Sequence, residues 1–287
     1  MKKLCFLCGC LTAALLISCE APYAGEDELT GNCTLTFSAS GTPTRGTVAI
    51  GDYFTKLNVM LFREDGSKYF DKVRTQYSAD ENFGQMALTL PAGEYTVVAV
   101  GHSSAKSATI KSTDMVQFTA SDGQKLTDTF GYCGTVTVGE TAENHDITLT
   151  RATAMVRFIL KDEEIPAALA SMKFDYTGGS ANFNPTTLQG TTKSTQSENR
   201  PVSANDVYTI FTFPYQSNSG ALKVTVSALT ASGDVIRKRT FDEIPVTRNR
   251  ITTYTGPFFG EGDGTITQSG FGFLVNGEWD GEDTYQF

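Results

Sequence analysis

From Cys33 onward, apolar and polar residues alternate in short bursts. Thr34-Leu35-Thr36-Phe37 has period two, the mark of a strand with one buried face. Apolar runs follow at 57–62, 86–90 and 95–100. Pro91-Ala92-Gly93 between the last two predicts a hairpin. Further strands are expected at 115–119, 134–138, 146–150 and Ala154–Leu160, then at 208–213, 222–228, 235–241, 250–255 and 271–275. Ser232-Gly233-Asp234 marks a hairpin turn among the later ones. Residues 162–169 allow one short helical turn, limited by Pro166. The stretch 177–206, rich in Gly, Ser, Thr and Asn, reads as a long surface loop or as several very short strands. Short strands with turn residues between them, and no βαβ alternation, predict an all-β fold of antiparallel β-sandwiches. A domain boundary is expected between Leu149 and Ala154, dividing a β-sandwich at 33–151 from one at 152–287.

The N-terminus has another character. Lys2 and Lys3 precede a short apolar run that ends in Leu16-Ile17-Ser18-Cys19, which fits a lipobox. The run is too short for a membrane-spanning helix. Its resemblance to bacterial lipoprotein signals implies a signal peptide at 1–18, cleavage before Cys19 and acylation of that thiol. Two or three acyl chains (palmitate among them) hold a protein on a bilayer where one does not. Residues 19–32 are acidic and weakly hydrophobic, as a tether would be; Glu26-Asp27-Glu28 also looks like an acidic surface-export signal.

Charge and cysteines narrow the partners. The chain has 32 acidic against 23 basic residues, and loss of the signal removes Lys2 and Lys3 but no acid. Such a chain is a poor ligand for nucleic acid. Cys5, Cys8 and Cys10 lie in the signal, so their spacing carries no metal chemistry. Cys33 and Cys133 remain after export, either as a disulfide or as two buried thiols.

Leu90-Pro-Ala-Gly-Glu-Tyr95 resembles a hairpin common in transthyretin-like sandwiches. With Ile147-Thr-Leu-Thr-Arg-Ala-Thr-Ala-Met-Val156, Ile244-Pro-Val-Thr-Arg-Asn-Arg-Ile-Thr-Thr253 and Val275-Asn-Gly-Glu-Trp279, it makes the chain similar to the FimA-like fimbrillin superfamily, the type V pilus subunits and anchor lipoproteins of Bacteroidales. The resemblance implies two transthyretin-like domains and a fimbrial structural subunit of the outer membrane and cell surface. Such a subunit is exported as a lipoprotein, assembles by β-strand exchange and supports adhesion. It implies partners: other fimbrial subunits, outer-membrane lipid through Cys19, and host or bacterial surface ligands. Cutting between Arg45 and Gly46 would release a first strand carrying Cys33, Leu35 and Phe37. Phe273, Val275 and Trp279 would belong to the donor strand that fills the opened groove of a neighbour. Head-to-tail exchange of this kind propagates into a filament. The same superfamily holds uncleaved anchors, and the acidic stretch before Cys33 suits one. A glycan-binding surface lipoprotein, with Trp279 in an aromatic platform, is the other alternative.

Catalytic patterns are missing. His102 and His145 lie in separate segments, and there is no HExxH, GxSxG, P-loop or GxGxxG after a strand. Asp162-Glu163-Glu164 and the acidic run at 278–283 read as solvated faces. The expectation is a non-enzymatic protein without cofactor or metal.

Overall fold

The structure, a computed structural model, describes residues 31–39, 49–119, 125–260, 265–266, 273–274 and 279–287, the two short pairs as backbone only. Among the described residues the fold is all-β, with a single 3-10 turn at Ile50–Asp52 as its helical element. The first half contributes β1 (Cys33–Ala39), β2 (Lys56–Arg63), β3 (Arg74–Tyr77), β4 (Gln85–Leu88), β5 (Gly93–His102), β6 (Thr109–Ser112), β7 (Met115–Gln117), β8 (Phe130–Val138) and β9 (Glu143–Arg151). The second half opens with β10 (Ala154–Leu160), β11 (Ser171–Thr177), β12 (Asn182–Asn184), β13 (Gln189–Gly190), β14 (Gln196–Pro201) and β15 (Val207–Thr212). It closes with β16 (Ser219–Leu229), β17 (Val235–Thr247), β18 (Arg250–Gly256), β19 (Thr265–Ile266), β20 (Phe273–Leu274) and β21 (Gly281–Gln286).

A seven-stranded sheet takes the order β3-β2-β5-β8-β9-β1-β4, and two five-stranded sheets follow the orders β15-β10-β18-β21-β20 and β14-β11-β16-β17-β19. Burial explains who sits in the middle. The apolar runs of β2 and β5 are buried over almost their whole length, as strands covered on both faces must be. β1 alternates, with Cys33, Leu35, Phe37 and Ala39 inward. The opening strand of each half is used alike. β1 lies parallel to β9 and antiparallel to β4, while β10 lies parallel to β18 and antiparallel to β15.

Two hydrophobic cores result, and they change hands at the chain's midpoint: Ala152 packs in the first and Ala154 in the second. The first core also takes Phe183, Leu188, Phe211 and Phe213 from the second half. They arrive through a small sheet in which Phe183 of β12 pairs with Val116 of β7, and Phe183 stacks on Phe213 at 4.6 Å. Within the ambiguous stretch 177–206, β12 and β13 are very short strands whose ordering cost is offset by burial in the neighbouring core, whereas the six-residue β14 pairs with β11 in its own half.

Several expectations need correction. The strands at 86–90 and 95–100 do not form a hairpin: β5 lies between β2 and β8, whereas β4 lies at the sheet edge beside β1. A strand as apolar as β5 needs neighbours on both sides, and β2 and β8 supply them. Tyr95 still closes the turn, donating its hydroxyl to Pro91 O at 2.9 Å. No helix forms at 162–169, where one hydrogen-bonded turn closes from the Leu169 N–H to Pro166 O at 2.9 Å. Of the strand expected at 271–275, Phe273–Leu274 lie among the described residues and form β20; the last strand is β21, in a stretch whose acids predict a solvated face. There Glu282 is buried, ion-paired with Arg157 at 3.0 Å and hydrogen-bonded to Thr253. Asp162 is not merely solvated either, since its carboxylate accepts the backbone N–H groups of Phe258 and Phe259, each at 2.7 Å.

Candidate functional site

Three of the segments that carry the resemblance meet at one place. Arg151 ends β9 and is buried. Its Nε donates to both oxygens of Asp128, at 2.9 and 3.0 Å, and its Nη1 donates to Asn249 Oδ1 at 2.9 Å. The guanidinium lies over the Phe130 ring at 4.6 Å and over the Trp279 ring at 4.0 Å. A planar cation between two aromatic faces, with its edges on a carboxylate and an amide, uses most of what an arginine offers.

Local conformation explains the neighbours. Asn249 sits in the two-residue turn from β17 to β18 with φ of 60°, left-handed backbone that asparagine tolerates better than most residues. Its N–H donates to Thr153 O at 2.9 Å, and its carbonyl accepts the N–H of Asp280 at 2.9 Å. Thr153 Oγ1 donates to Asp128 Oδ1 at 3.1 Å. Burial raises the Asp128 pKa, and the hydrogen bonds and charge of Arg151, followed by the Thr153 bond, pull against that rise. These groups are spent on one another, so the cluster ties the first core to the β17–β18 turn and the C-terminal segment. Arg151, Asn249 and Trp279 stand within motifs legible in the sequence. Asp128 does not, because it lies in an irregular loop with no pattern to announce it.

β1 is the second place of interest. Leu35 and Phe37 are buried as expected, and so is the Cys33 side chain. Burial, and then the charge of Glu143, raise the Cys33 pKa. Cys33 and Cys133 are both free thiols, and Cys133 Sγ donates to Thr113 O at 3.5 Å. Gly31 and Asn32 lead in: Asn32 Oδ1 accepts the Leu90 N–H at 2.8 Å and its Nδ2 donates to Leu90 O at 2.6 Å.

Of the expected donor residues, Trp279 is buried against Arg151, and Phe273 lies in β20, paired antiparallel with Asp283 of β21. Cys19, Arg45, Gly46 and Val275 lie outside the described residues. Among the described residues no group of three or more His, Cys, Asp or Glu side chains is placed to hold a metal.

The arrangement is that of a β-sandwich protein whose two cores are joined through a buried arginine. The sequence model of the fimbrillin-A associated anchor proteins Mfa1 and Mfa2 matches residues 18–283, and the chain belongs to that family. Membership gives it a fimbrial role at the cell surface. Solved structures resemble it at low identity. A candidate polysaccharide-binding protein from Bacteroides thetaiotaomicron is 13% identical, with 73% of this chain and 80% of that one covered and a TM-score of 0.48. A candidate adhesin from Bacteroides ovatus is 15% identical, with 83% and 88% covered and a TM-score of 0.47. The fimbrial anchor protein Mfa2 from Porphyromonas gingivalis is 14% identical, with 72% and 80% covered and a TM-score of 0.38. Likenesses of this size carry no argument about what the chain does. No curated protein matches it.

Proposed function

We propose that this chain is an uncleaved fimbrial anchor, a lipoprotein held in the outer membrane through acylated Cys19 and built of two transthyretin-like domains that divide near Arg151. The match to the anchor family over residues 18–283 carries the reading. On this reading the first strand is kept in the mature protein: β1 is hydrogen-bonded on both sides and buries Cys33, Leu35, Phe37 and Ala39. Removing it would strip β4 of its partner and open an apolar groove along the sheet. A retained β1 leaves the protein closed at that position, as suits a base to which a filament attaches rather than a repeating unit of the filament. Fimbrial subunits then join by strand addition to another edge.

Intact mass and N-terminal identity of the protein recovered from outer membrane test the reading. A chain that begins at acylated Cys19 and stays with the membrane is the expected result. A chain that begins at Gly46 and is recovered in sheared filaments would replace the anchor with a polymerising subunit cut after Arg45.

A further inference from the structure

The seven-stranded sheet has two edges, β3 and β4, which follow one another in sequence yet do not pair. Near their connecting loop they are latched. Gln76 Nε2 donates to Gln85 O at 2.6 Å and to Asn82 O at 3.2 Å, and Gln76 Oε1 accepts the Gly84 N–H at 3.3 Å. Beyond the latch lies a cleft of about 720 Å³, walled by residues of both strands and by Arg63, Tyr69, Phe70 and Asp71.

Each rim is an edge strand whose outer backbone groups no strand satisfies; those of Gln85 and Tyr77 are taken up locally, by Asn82 and Gln76 and by Asp80, so the open part of each rim lies beyond the latch. These groups alternate in direction along an antiparallel strand. Because Gln85 O points across the seam, the N–H and C=O of Ala87 point into it as well. The walls also carry charge. The Arg63 guanidinium lies over the Tyr69 ring at 4.9 Å, and that of Arg74 over the Phe70 ring at 4.8 Å. Arg63 donates to Ser67 Oγ and Lys68 O. Among the described residues, neither arginine is within ion-pair distance of a carboxylate, although Asp71 lines the same cleft. On a chain of net charge −9, two such cations beside two unpaired strand edges favour an anionic occupant. The aromatic faces are already covered by guanidinium groups, which argues against sugar stacking there.

We propose that this seam is a strand-acceptor site: it takes one extended segment of a partner polypeptide, hydrogen-bonded along the β4 edge, with acidic side chains towards Arg63 and Arg74. The identity of the partner, a fimbrial subunit, rests on the anchor reading; the chemistry of the seam does not. With β1 in place its own groove is filled, so an incoming strand must use an edge, and in this sheet both edges open on the same cleft.

The probe is a short synthetic peptide alternating valine with glutamate, set against the same peptide with lysine for glutamate, each titrated into the full lipidated chain in detergent. The glutamate peptide is expected to bind about tenfold tighter, and Arg63→Glu with Arg74→Glu to reverse the preference while leaving the thermal midpoint near that of wild type. A photo-crosslinking residue at position 87 should capture the peptide. Equal binding, a preference unchanged by the double substitution, or capture only from other edges overturns the proposal. In cells, the double variant should reach the surface yet release fimbriae into the medium. Peptide bound at the seam, with fimbriae retained even when the whole chain is deleted, would sink the anchor reading and keep the site. Fimbriae lost on deletion but retained by the double variant, with no peptide bound, would do the reverse.

Discussion

Arg151 and Trp279 lie 128 positions apart in sequence, yet the guanidinium of one sits 4.0 Å from the ring centroid of the other. The contact closes the C-terminal segment onto the end of β9. It also puts a residue of the acidic tail region into the first core, where Trp279 is only 8% exposed. A tryptophan fixed in this way packs the junction and is not on offer as an aromatic platform for sugars.

Replacing Arg151 by methionine keeps the apolar stem and removes the charge. Asp128, with 22% of its side chain exposed, is then left without its cation, and the variant should lose roughly 1–3 kcal/mol. Adding Asp128→Asn should return part of that loss, because a neutral amide is cheaper to bury. The pH dependence gives an independent check. Burial already raises the Asp128 pKa, and loss of Arg151 removes the main opposing pull. An acid whose folded pKa lies above its unfolded value gains stability as pH falls through the folded value. The single variant should therefore recover on mild acidification relative to wild type, as read by urea unfolding at several pH values.

Asn249 combines left-handed backbone with a hydrogen bond from Arg151. Asn249→Ala loses the bond and strains the turn, at a cost of about 1–3 kcal/mol. Asn249→Gly keeps the backbone and loses only the bond, so it should be the milder of the two. A larger loss for glycine than for alanine would remove the backbone from the explanation.

His102 should make the fold sensitive to acid. It is buried, its Nδ1 accepts the Ser104 N–H at 3.1 Å, and its Nε2 donates to Asn58 Oδ1 at 2.8 Å, an arrangement that fits the neutral ring. Burial, and then the charge of Lys56, lower its pKa from 6.5 to about 3. Between those values the unfolded chain holds a proton that the folded chain lacks, so stability drops as the pH is lowered, by up to about 1.4 kcal/mol per unit. His102→Gln should lose stability at neutral pH and flatten that slope. An unchanged slope in the variant would assign the acid sensitivity elsewhere.

Leu35 reports on β1. Its side chain is fully buried, and truncation to alanine should cost about 2–5 kcal/mol if the strand belongs to the folded anchor. Thermal unfolding of the membrane-extracted protein measures it. A loss below 1 kcal/mol would mean that β1 contributes little to the mature fold.

Alternation made the all-β class and many strand positions legible. Cys33–Ala39 and Ala154–Leu160 are strands from end to end, the first announced by alternation and the second by its run of apolar residues, and each opens a half of the chain. β3, β11 and β21 were missed because polar or charged residues fill much of them. Glu282 and Asp283 are tolerable in β21 only because β18 and β10 bring Arg250 and Arg157 within 3.2 and 3.0 Å. No local pattern announces such partners.

The sequence by itself determined where the chain turns, which faces of its strands are apolar, and the fimbrillin resemblance in the segments around Arg151, Asn249 and Trp279. Those are local matters, set by side-chain periodicity and by the left-handed or rigid backbone that Gly, Asn and Pro supply. Only the tertiary structure decided which strands became neighbours, that 86–90 and 95–100 part instead of pairing, and that two sheet edges open on one cleft. Pairing is a choice among distant segments of similar propensity. It is settled by how the whole set of apolar faces can be buried at once, a sum that no single stretch of sequence contains.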